Sequence, residues 1–326
     1  MSEAALAKIK VSFWASPSMQ RMMDIANRIA STDLPVLIEG EPGTGKEWLA
    51  RAIHFASSRA HQEFVVVDCS SFSEVFLESE LFGYVRGSFV GAIRAKKGLL
   101  ELASGGTIFL KDVSKMKLTL QGKFERVLEE QRFWKIGGVA LIDTNVRVIA
   151  STDQDLKALV NQKKFRPALY YQLSTVRLGI PPLRQRREDI EVLTDYFLGE
   201  IAKRKGSKKK VLGEKTKPML LLYNWPGNIQ ELESEIAKSL VLTESGDTIE
   251  PDHLSPHIRK KRQALSTSSG EVSLKTRKQS MISSLEKNAI EEALKKTSGN
   301  RTRAARLLSI SRQHLIRKIA NYQIRL

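Results

Sequence analysis

Short apolar runs alternate with helical patterns up to about Gly179. Runs rich in Val and Ile with no polar alternation are typical of parallel strands buried on both faces. They predict strands at LPVLIEG (34–40), FVVVD (64–68), TIFL (107–110), VRVIAS (146–151) and TVRLGI (175–180). Between them, helical spacing predicts amphipathic helices whose buried faces are Trp48, Leu49, Ala52, Ile53 and Ala56 in one, and Leu120, Phe124, Val127 and Leu128 in another. The alternation indicates a layered α/β domain.

The pattern changes after Pro181 and Pro182. From about 187 to 244 the periodicity is helical, and we expect a helical subdomain without strands. Residues 257–280 are polar, Ser-rich and basic with no periodicity, which predicts a flexible linker. The expected domains are therefore an α/β subdomain at 1–180, a helical subdomain at 181–256, the linker at 257–280 and a helical C-terminal domain at 281–326.

The net charge of +17 is concentrated at the C-terminal end. Residues 259–326 carry 17 Lys and Arg against 4 Asp and Glu, a net +13, whereas the preceding 258 residues carry only +4. A small basic segment on a nearly balanced body suggests a nucleic-acid contact surface, although a solvated tail has the same composition.

Other features of the composition limit the cellular setting. No apolar stretch is long enough to span a bilayer, and the N-terminus lacks the apolar core of a signal peptide. Cys69 is the one cysteine, so no internal disulfide forms, and its neighbourhood predicts a buried thiol. We expect a cytoplasmic protein with no membrane partner.

The segment GEPGTGKE follows a predicted strand and opens a predicted helix. In that context a G-x4-G-K pattern is a phosphate-binding loop, because glycines let backbone N–H groups turn toward phosphates and the helix N-terminus adds partial positive charge. The lysine reaches the β- and γ-phosphates. The expected nucleotide-binding residues of this loop are Gly40, Glu41, Pro42, Gly43, Thr44, Gly45, Lys46 and Glu47.

Further motifs give the chain a family resemblance. They are ESELFGYVRGSFVGA (78–92), GGTIFL (105–110), FRPALYYQL (165–173), PPLRQRREDI (181–190), WPGNIQEL (225–232) and GNRTRAARLLSISRQHLIRKIANYQI (299–324). With the phosphate loop, they resemble the bacterial enhancer-binding proteins, the AAA+ ATPases that remodel sigma-54 RNA polymerase, from about Phe13 to Leu326. The resemblance implies an AAA+ P-loop domain, with a parallel sheet between helices, a helical lid and a Fis-type helix-turn-helix. The family usually carries an N-terminal sensory domain, and we expect the stretch before Phe13 to be too short for one.

The resemblance also exposes departures at the catalytic positions. Where the family has Asp-Glu after its third strand, to hold Mg²⁺ and polarise the attacking water, this chain has Lys111-Asp112. An ammonium cannot bind Mg²⁺, but beside a triphosphate it partly replaces the charge of the metal. Asp112 is therefore the one candidate at this strand end for the catalytic or the metal-binding role.

Other expected catalytic groups are replaced as well. The family's partner of the catalytic Glu corresponds to Asp68, and the sensor A-T-N becomes Ser-Thr-Asp, which keeps Thr152 as a nucleotide contact but introduces Asp153. Of the two arginines in the F-R-x-D-L-Y-Y-R-L segment, Arg166 remains as the candidate arginine finger. The second arginine is Gln172, and the lid arginine is Gln230.

These substitutions predict a pocket that binds ATP or ADP but hydrolyses ATP very slowly or not at all. The first alternative is a rearranged working site with Asp112 on Mg²⁺, in an active motor that activates sigma-54 RNA polymerase. A second alternative is a pocket for another nucleotide, such as a cyclic dinucleotide.

The family's sigma-contacting segment G-A-F-T-G-A is also altered. Val90 replaces the threonine and has no hydroxyl to donate or accept a hydrogen bond, so we expect the loop shape to persist without that polar contact. The candidate sigma-contact loop comprises Gly87, Ser88, Phe89, Val90, Gly91 and Ala92.

The C-terminal block has the pattern of two helices joined by a short turn. Asn300 is expected to cap the first helix and Ser311 the second. Ala304, Ala305, Leu307, Leu308, Leu315 and Ile319 are expected to pack inward. In a helix-turn-helix the start of the second helix reaches base edges, so Arg312 and Gln313 are expected to read bases and neighbouring cations to hold phosphates. The candidate DNA-binding residues are Arg301, Thr302, Arg303, Arg312, Gln313, His314, Arg317 and Lys318.

The expected partners are double-stranded DNA, RNA polymerase with an unassigned sigma factor, and further copies of the chain as a dimer or a ring. Arg166 would reach the site of a neighbour in such an assembly. The predicted helix at 281–296 has an apolar face that suits dimerisation.

Overall fold

The computed structural model describes residues 14–71, 73–243, 246–259, 286, 289–294, 297 and 300–321. Most of the predicted linker lies outside these residues. The chain divides into two compact units, Met1–Arg259 and Lys260–Leu326, and each is described by itself. Among the described residues, no helix combines the length and apolar character needed to cross a membrane.

The first unit alternates strands and helices before it becomes mainly helical. Its elements in chain order are α1 (Pro17–Ala30), β1 (Val36–Glu39), α2 (Lys46–Phe55), β2 (Phe64–Asp68), α3 (Glu74–Phe82), β3 (Gly83–Tyr84), β4 (Lys96–Lys97), α4 (Leu99–Leu102), β5 (Thr107–Lys111), α5 (Leu118–Glu130), β6 (Arg132–Trp134), β7 (Leu141–Asp143), β8 (Arg147–Thr152), α6 (Leu156–Asn161), α7 (Pro167–Leu173), β9 (Val176–Gly179), α8 (Glu188–Lys205), β10 (Val211–Leu212), α9 (Thr216–Leu222), α10 (Asn228–Leu242) and β11 (Thr248–Ile249).

The five predicted strands form one parallel sheet in the order β2-β5-β8-β1-β9. The register places Asp68 opposite Lys111 and Glu39 opposite Thr152. The predicted α/β class with a parallel sheet is therefore confirmed. Because parallel strands end at the same edge, the residues that follow β1, β2, β5 and β8 lie close together.

Helices cover both faces of the sheet, which explains why the strands are apolar throughout. Val36 and Ile38 of β1 pack into a core with α1, α2 and the lid helices, whereas Leu37 packs into the opposite core with α3, α5 and α7. The predicted helix faces are buried or half-buried except for Ala56, which follows α2 and is exposed.

Cys69 is buried in the core beside α3 and α5, as predicted. Burial raises the pKa of its thiol to about 12, because a thiolate would lose its hydration there. The thiol is therefore unreactive at neutral pH.

Three small pairs of strands were not predicted. Antiparallel pairs join β3 to β4 and β6 to β7, and β10 pairs in parallel with β11. The prediction of a helical subdomain without strands is thus wrong at Val211–Leu212. Strands of two or three residues carry too little periodicity to be recognised in a sequence.

The predicted linker begins too early. Residues 256–259 are helical, and Ile258 is only 1% exposed within the core of the first unit. One buried isoleucine among polar residues produces no periodic signal, which is why the sequence pattern missed this turn.

His54 is buried in α2 between the rings of Phe55 and Phe64, where its Nδ1 lies 2.9 Å from the hydroxyl of Thr107. Burial lowers the pKa of its imidazole to about 4, with the charges of Arg147 and Arg51 acting in the same direction. The folded state therefore binds fewer protons than the unfolded state below pH 6.5. Stability contributed by neutral His54 is complete above about pH 6.5 and is lost as pH falls toward 4.

We expect the wild-type chain to lose about 3 kcal/mol of unfolding free energy from this group between pH 6.5 and pH 4. His54→Gln should remove that part of the pH dependence, although it also lowers stability at neutral pH. Urea unfolding at several pH values measures both quantities. His61→Gln, which alters an exposed histidine, should keep the wild-type slope. An unchanged slope in His54→Gln would show that other groups cause the acid sensitivity.

The second unit contains α11 (Arg301–Leu307) and α12 (Arg312–Asn321), preceded by helical residues at 289–294. Ile290, Ala293 and Leu294 pack with the helix pair around a small core that includes Ala304, Ala305 and Leu315. This described part of the predicted 281–296 helix buries its apolar side chains within the unit. The expectation that this face serves dimerisation stays a prediction, because the rest of the predicted helix lies outside the described residues.

Candidate functional site

The phosphate loop connects β1 to α2 at the carboxyl edge of the sheet. Gly43 and Gly45 have positive φ values of 73° and 98°, which glycine adopts without steric strain. Lys46 begins α2, and its Nζ donates to the carbonyls of Gly40 at 2.7 Å and Glu41 at 3.1 Å. Burial lowers the pKa of Lys46, while the charges of Asp112 and Asp153 oppose this shift. The charges of both strand-end carboxylates therefore act on this lysine.

A cavity of about 470 Å³ opens beside this loop, between the sheet edge and the lid helix α10. It contains seven of the predicted site residues: Pro42, Gly43, Gly45, Lys46, Glu47, Lys111 and Asp112. The two departures at the sensor and lid positions, Asp153 and Gln230, also line it. Sequence reasoning missed five further lining residues: Trp48, Phe109, Ser151, Ile229 and Glu233.

Four predicted nucleotide contacts do not line the cavity: Gly40, Glu41, Thr44 and Thr152. The hydroxyl of Thr152 donates to the carbonyl of Gln154 at 3.0 Å and accepts from its N–H. Thr44 is buried, and its hydroxyl donates to the carbonyl of Glu41 at 2.7 Å. Their polar groups are satisfied by local backbone, so these two threonines shape the site without facing it.

Glu41 instead binds the lid. Its carboxylate accepts from Arg184 at 2.8 Å and from the Asn228 amide at 3.2 Å. These hydrogen bonds, that from Arg184 first, hold the pKa of Glu41 at about 2. Asn228 also donates to the carbonyl of Pro42 at 2.9 Å.

The lid backbone approaches the phosphate loop closely. The N–H of Ile229 donates to the carbonyl of Gly43 at 2.9 Å. A Cβ at Gly43 would stand 2.3 Å from the carbonyl oxygen of Gly227, so no larger residue fits there without a shift of backbone. The lid therefore rests directly on the loop.

Lys111 ends β5 beside the end of β2. Its Nζ lies 3.5 Å from the Oδ2 of Asp68. The other carboxylate oxygen, Oδ1, accepts from the N–H and the hydroxyl of Ser70. Burial alone would raise the pKa of Asp68, but the Ser70 hydrogen bonds and the charge of Lys111 outweigh it, so the pKa is lowered. The ammonium thus occupies the strand end in an ion pair with the neighbouring strand.

Asp112 follows in a left-handed conformation with a φ of 54°, and its N–H donates to the hydroxyl of Ser151 at 3.3 Å. Burial raises the pKa of its carboxyl, the nearby Asp153 acts in the same direction, and Lys46 opposes both. Asp112 and Asp153 lie at neighbouring strand ends, both act on the charge of Lys46, and Lys111 also lowers the pKa of Asp112.

These residues do not fit a divalent cation. Mg²⁺ takes oxygen ligands, but Lys111 offers an ammonium that repels it, and the Glu47 carboxylate is paired with Arg51 at 2.8 Å. In the described part of the chain, no three His, Cys, Asp or Glu side chains are grouped so as to hold a metal. The metal role predicted for Asp112 therefore gains no support from its surroundings.

Arg166 and Gln172 lie away from this cavity. The Arg166 guanidinium donates to Glu125 of α5 at 2.7 Å, and its pKa is raised by that hydrogen bond. The amide of Gln172 donates to Glu129 on the same helix at 2.9 Å. Arg166 therefore has no catalytic contact within its own chain.

The candidate sigma-contact loop is compact. The N–H of Gly87 donates to the carbonyl of Ala92 at 2.8 Å, and the ring of Phe89 packs edge-on against Tyr84. Val90 at the tip is fully exposed. Gly87 and Gly91 have positive φ values of 81° and 103° with open space around them.

In the second unit, Asn300 accepts from the N–H groups of Thr302 and Arg303 at 3.1 Å, and Ser311 accepts from that of His314 at 3.2 Å. Both predicted caps are therefore confirmed. All predicted DNA contacts except one are exposed, namely Arg301, Thr302, Arg303, Arg312, Gln313, His314 and Arg317.

One prediction for the second unit, that Leu307 packs inward, is wrong. Leu307 is 58% exposed, because α11 ends at this residue and the chain turns at Ser309. The covered side of α11 consists of Ala304, Ala305 and the adjoining Leu308. Lys318 is half-buried and forms an ion pair with Glu286. Its charge is therefore partly neutralised within the unit.

Family models match the chain in three consecutive segments. The sigma-54 interaction domain matches residues 13–179, the AAA+ ATPase lid domain 184–271, and the bacterial regulatory protein, Fis family, 282–322.

Individual relatives cover most of the chain. The regulatory protein AtoC of Escherichia coli is 40% identical over 95% of this chain and 67% of its own length. The Nif-specific regulatory protein of Azotobacter vinelandii is 42% identical over 71% of this chain but only 44% of its own length. Two crystal structures of NtrX from Brucella abortus, one with ATP and one with ADP, are 31% identical in sequence to this chain and match 95% of it. The match covers 69% of NtrX in the ATP complex, with a TM-score of 0.69, and 68% in the ADP complex, with a TM-score of 0.70.

The matches agree with the fold and with the order of the two units along the chain. The chain spans about two thirds of AtoC and less than half of the Nif-specific regulator. This chain belongs to the sigma-54-dependent transcriptional regulators, with an AAA+ nucleotide-binding domain and a Fis-type helix-turn-helix.

Proposed function

We propose that this chain regulates transcription by binding DNA through its second unit, while its AAA+ domain binds ATP or ADP as a structural or regulatory ligand and hydrolyses ATP very slowly or not at all. Within this proposal, residues 1–180 and 181–256 are the α/β and lid parts of the AAA+ domain, and 281–326 are the DNA-binding domain. The nucleotide would bind in the cavity beside Lys46.

The observation that carries the proposal is the ion pair between Lys111 and Asp68 at the end of β5. Hydrolysis needs a cation to neutralise the developing charge and a base to orient water. Here the position expected for the metal ligand is an ammonium, and Asp112 is the one carboxylate that remains of the expected Asp-Glu pair. The phosphate loop keeps its lysine and its turn, so binding does not depend on the missing groups.

The arginines that a neighbouring subunit would contribute to ATP hydrolysis are also reduced in number. Arg166 is exposed and could reach the site of an adjacent copy, but Gln172 carries no charge. Arginine fingers supplied in trans contribute orders of magnitude in rate. We therefore propose homo-oligomers in which nucleotide binding, and not turnover, sets the state of the domain.

Sigma-54 contact is proposed to be weakened as well. The loop from Gly87 to Ala92 holds its turn, but Val90 presents only methyl groups at the tip. A partner that forms a hydrogen bond with a hydroxyl at this position cannot form it with Val90, which lowers the binding free energy by about 1 kcal/mol.

Phosphate release from ATP in excess Mg²⁺ tests the proposal. The rate of the wild-type chain should equal that of Lys46→Ala, which removes the phosphate-binding ammonium. Loss of two transition-state contacts alone costs about 4–8 kcal/mol of barrier, enough to place turnover below detection.

Mg²⁺-dependent turnover that disappears in Lys46→Ala would instead support the alternative, an active motor with Asp112 on the metal. That alternative depends on the two strand-end carboxylates of the cavity, Asp112 and Asp153. Retained ligand identified by mass spectrometry after purification would show whether the cavity holds another nucleotide, such as a cyclic dinucleotide.

A further inference from the structure

The charges that line the nucleotide cavity are unbalanced toward acid. Its cationic lining residues are Lys46 and Lys111, and its carboxylates are Glu47, Asp112, Asp153 and Glu233. No arginine lines this cavity within the described part of the chain. A polyphosphate therefore finds two ammonium groups and no guanidinium.

The arginines nearby hold other groups. Arg184 is bound to Glu41, and Arg51 is bound to Glu47. Arg186 is completely buried and donates to the carbonyl of Thr44 at 2.7 Å. Moving any of them onto a phosphate would leave a carboxylate or carbonyl unpaired, which costs free energy.

Two of the cavity carboxylates, Asp112 and Asp153, lie at the ends of adjacent strands. Asp112 follows β5 and Asp153 follows the adjacent β8, with the Ser151 hydroxyl accepting from the N–H of Asp112. Both line the cavity. Among the described residues, the cavity lining has no cation besides Lys46 and Lys111, so a third phosphate would face these carboxylates without a further cation to balance its charge.

We propose that this cavity selects a nucleoside diphosphate over a triphosphate and binds it without a divalent cation, with Lys111 as the second cation in place of a metal. This inference rests on the proposed function and names the ligand of the same site. Two ammonium groups suit two phosphates, and the strand-end carboxylates repel a third.

Calorimetric titration of the full chain tests this directly. The ligands are ADP and the non-hydrolysable ATP analogue with an imido bridge, each in excess Mg²⁺ and in excess EDTA. We expect ADP to bind at least about tenfold more tightly than the analogue, and its affinity to change by less than about twofold between Mg²⁺ and EDTA.

Three variants separate the contributions. Lys111→Gln should weaken ADP binding in EDTA by about tenfold, because it removes the cation that replaces the metal. Asp153→Asn should tighten binding of the analogue by about tenfold and leave ADP nearly unchanged. Asp143→Asn removes an exposed carboxylate of β7 that does not line the cavity and should change neither affinity.

Equal or tighter binding of the analogue, or affinity for ADP that rises about tenfold or more with Mg²⁺, would overturn this inference. Neither result implies hydrolysis, so the proposed function would stand. Mg²⁺-dependent phosphate release would overturn the proposed function instead. Absence of binding by both ligands would remove this inference and the nucleotide-binding part of the proposal, while leaving DNA binding untouched.

Discussion

Asp189→Ala should lower the free energy of unfolding of the first unit by about 3–5 kcal/mol. Asp189 is completely buried, and its carboxylate accepts from the N–H of Ser16 at 2.7 Å and from the hydroxyl of Ser16 at 2.9 Å. It also faces the guanidinium of Arg186 at 3.7 Å. The substitution would leave a buried cation without its counter-charge and two donors without an acceptor.

Arg186 cannot relieve this by moving to solvent. Its guanidinium lies over the ring of Trp14 at 5.2 Å and donates to the carbonyl of Thr44 in the phosphate loop. Burial lowers the pKa of Arg186 to about 10, and the charge of Asp189 opposes that shift. At neutral pH the guanidinium of Arg186 stays charged. In Asp189→Ala, the unpaired buried charge should therefore lower the free energy of unfolding and loosen the phosphate loop.

Urea unfolding followed by tryptophan fluorescence measures this effect, because all four tryptophans lie between residues 14 and 225. Asp195→Ala is the matched control on the same helix α8, since its exposed ion pair with Lys209 should contribute less than about 1 kcal/mol. Asp189→Asn should fall between the two, because it keeps an acceptor but loses the charge. A loss below about 1 kcal/mol in Asp189→Ala would show that Arg186 has found another partner.

Much of the architecture could be predicted because the signal is local. Continuous Val and Ile runs arise from burial on both sheet faces, and β5 shows this directly, with Phe109 in one core and Ile108 in the other. The phosphate loop was predictable for a similar reason, since its glycines and Lys46 are fixed by a turn between consecutive elements.

The lid contacts could not be predicted, because they join distant parts of the chain. Glu41 meets Arg184 and Asn228, at sequence separations of 143 and 187 residues. Nothing near Glu41 in the sequence distinguishes a lid contact from a phosphate contact. Thr152 does not line the cavity for a different reason, because its hydroxyl has an acceptor two residues away in the carbonyl of Gln154.

In the second unit, the sequence pattern predicts the buried face of each helix only in part. Ala304 and Leu315 are buried as their spacing predicts, but Leu307 is exposed since a helix of seven residues meets only one neighbouring surface. Opposite charge then draws Lys318 to Glu286. The spacing of apolar residues in the sequence predicts which residues share one face of a helix, but it does not predict how much of that face a neighbouring element buries.

The combined substitution Arg312→Ala and Gln313→Ala should weaken binding to the chain's preferred operator by about 2–6 kcal/mol, roughly 30-fold to 10⁴-fold. Both side chains are exposed in the first turn of α12, while Leu315 anchors that helix in the core. Residues at this position of a helix-turn-helix face base edges in the major groove, where Arg pairs with guanine and Gln with adenine.

The operator can be selected from a randomised DNA library with the wild-type chain, and affinity measured by fluorescence anisotropy on that operator and on a scrambled duplex. The double variant should lose most of its preference for the operator, because base readout is sequence-specific. Arg303→Ala is the matched control, since an exposed arginine at the start of α11 should hold phosphate and lower both affinities by a similar factor, with a salt slope smaller by about 1. If instead the double variant kept its operator preference and Arg303→Ala lost it, α11 and not α12 would be the element that reads bases.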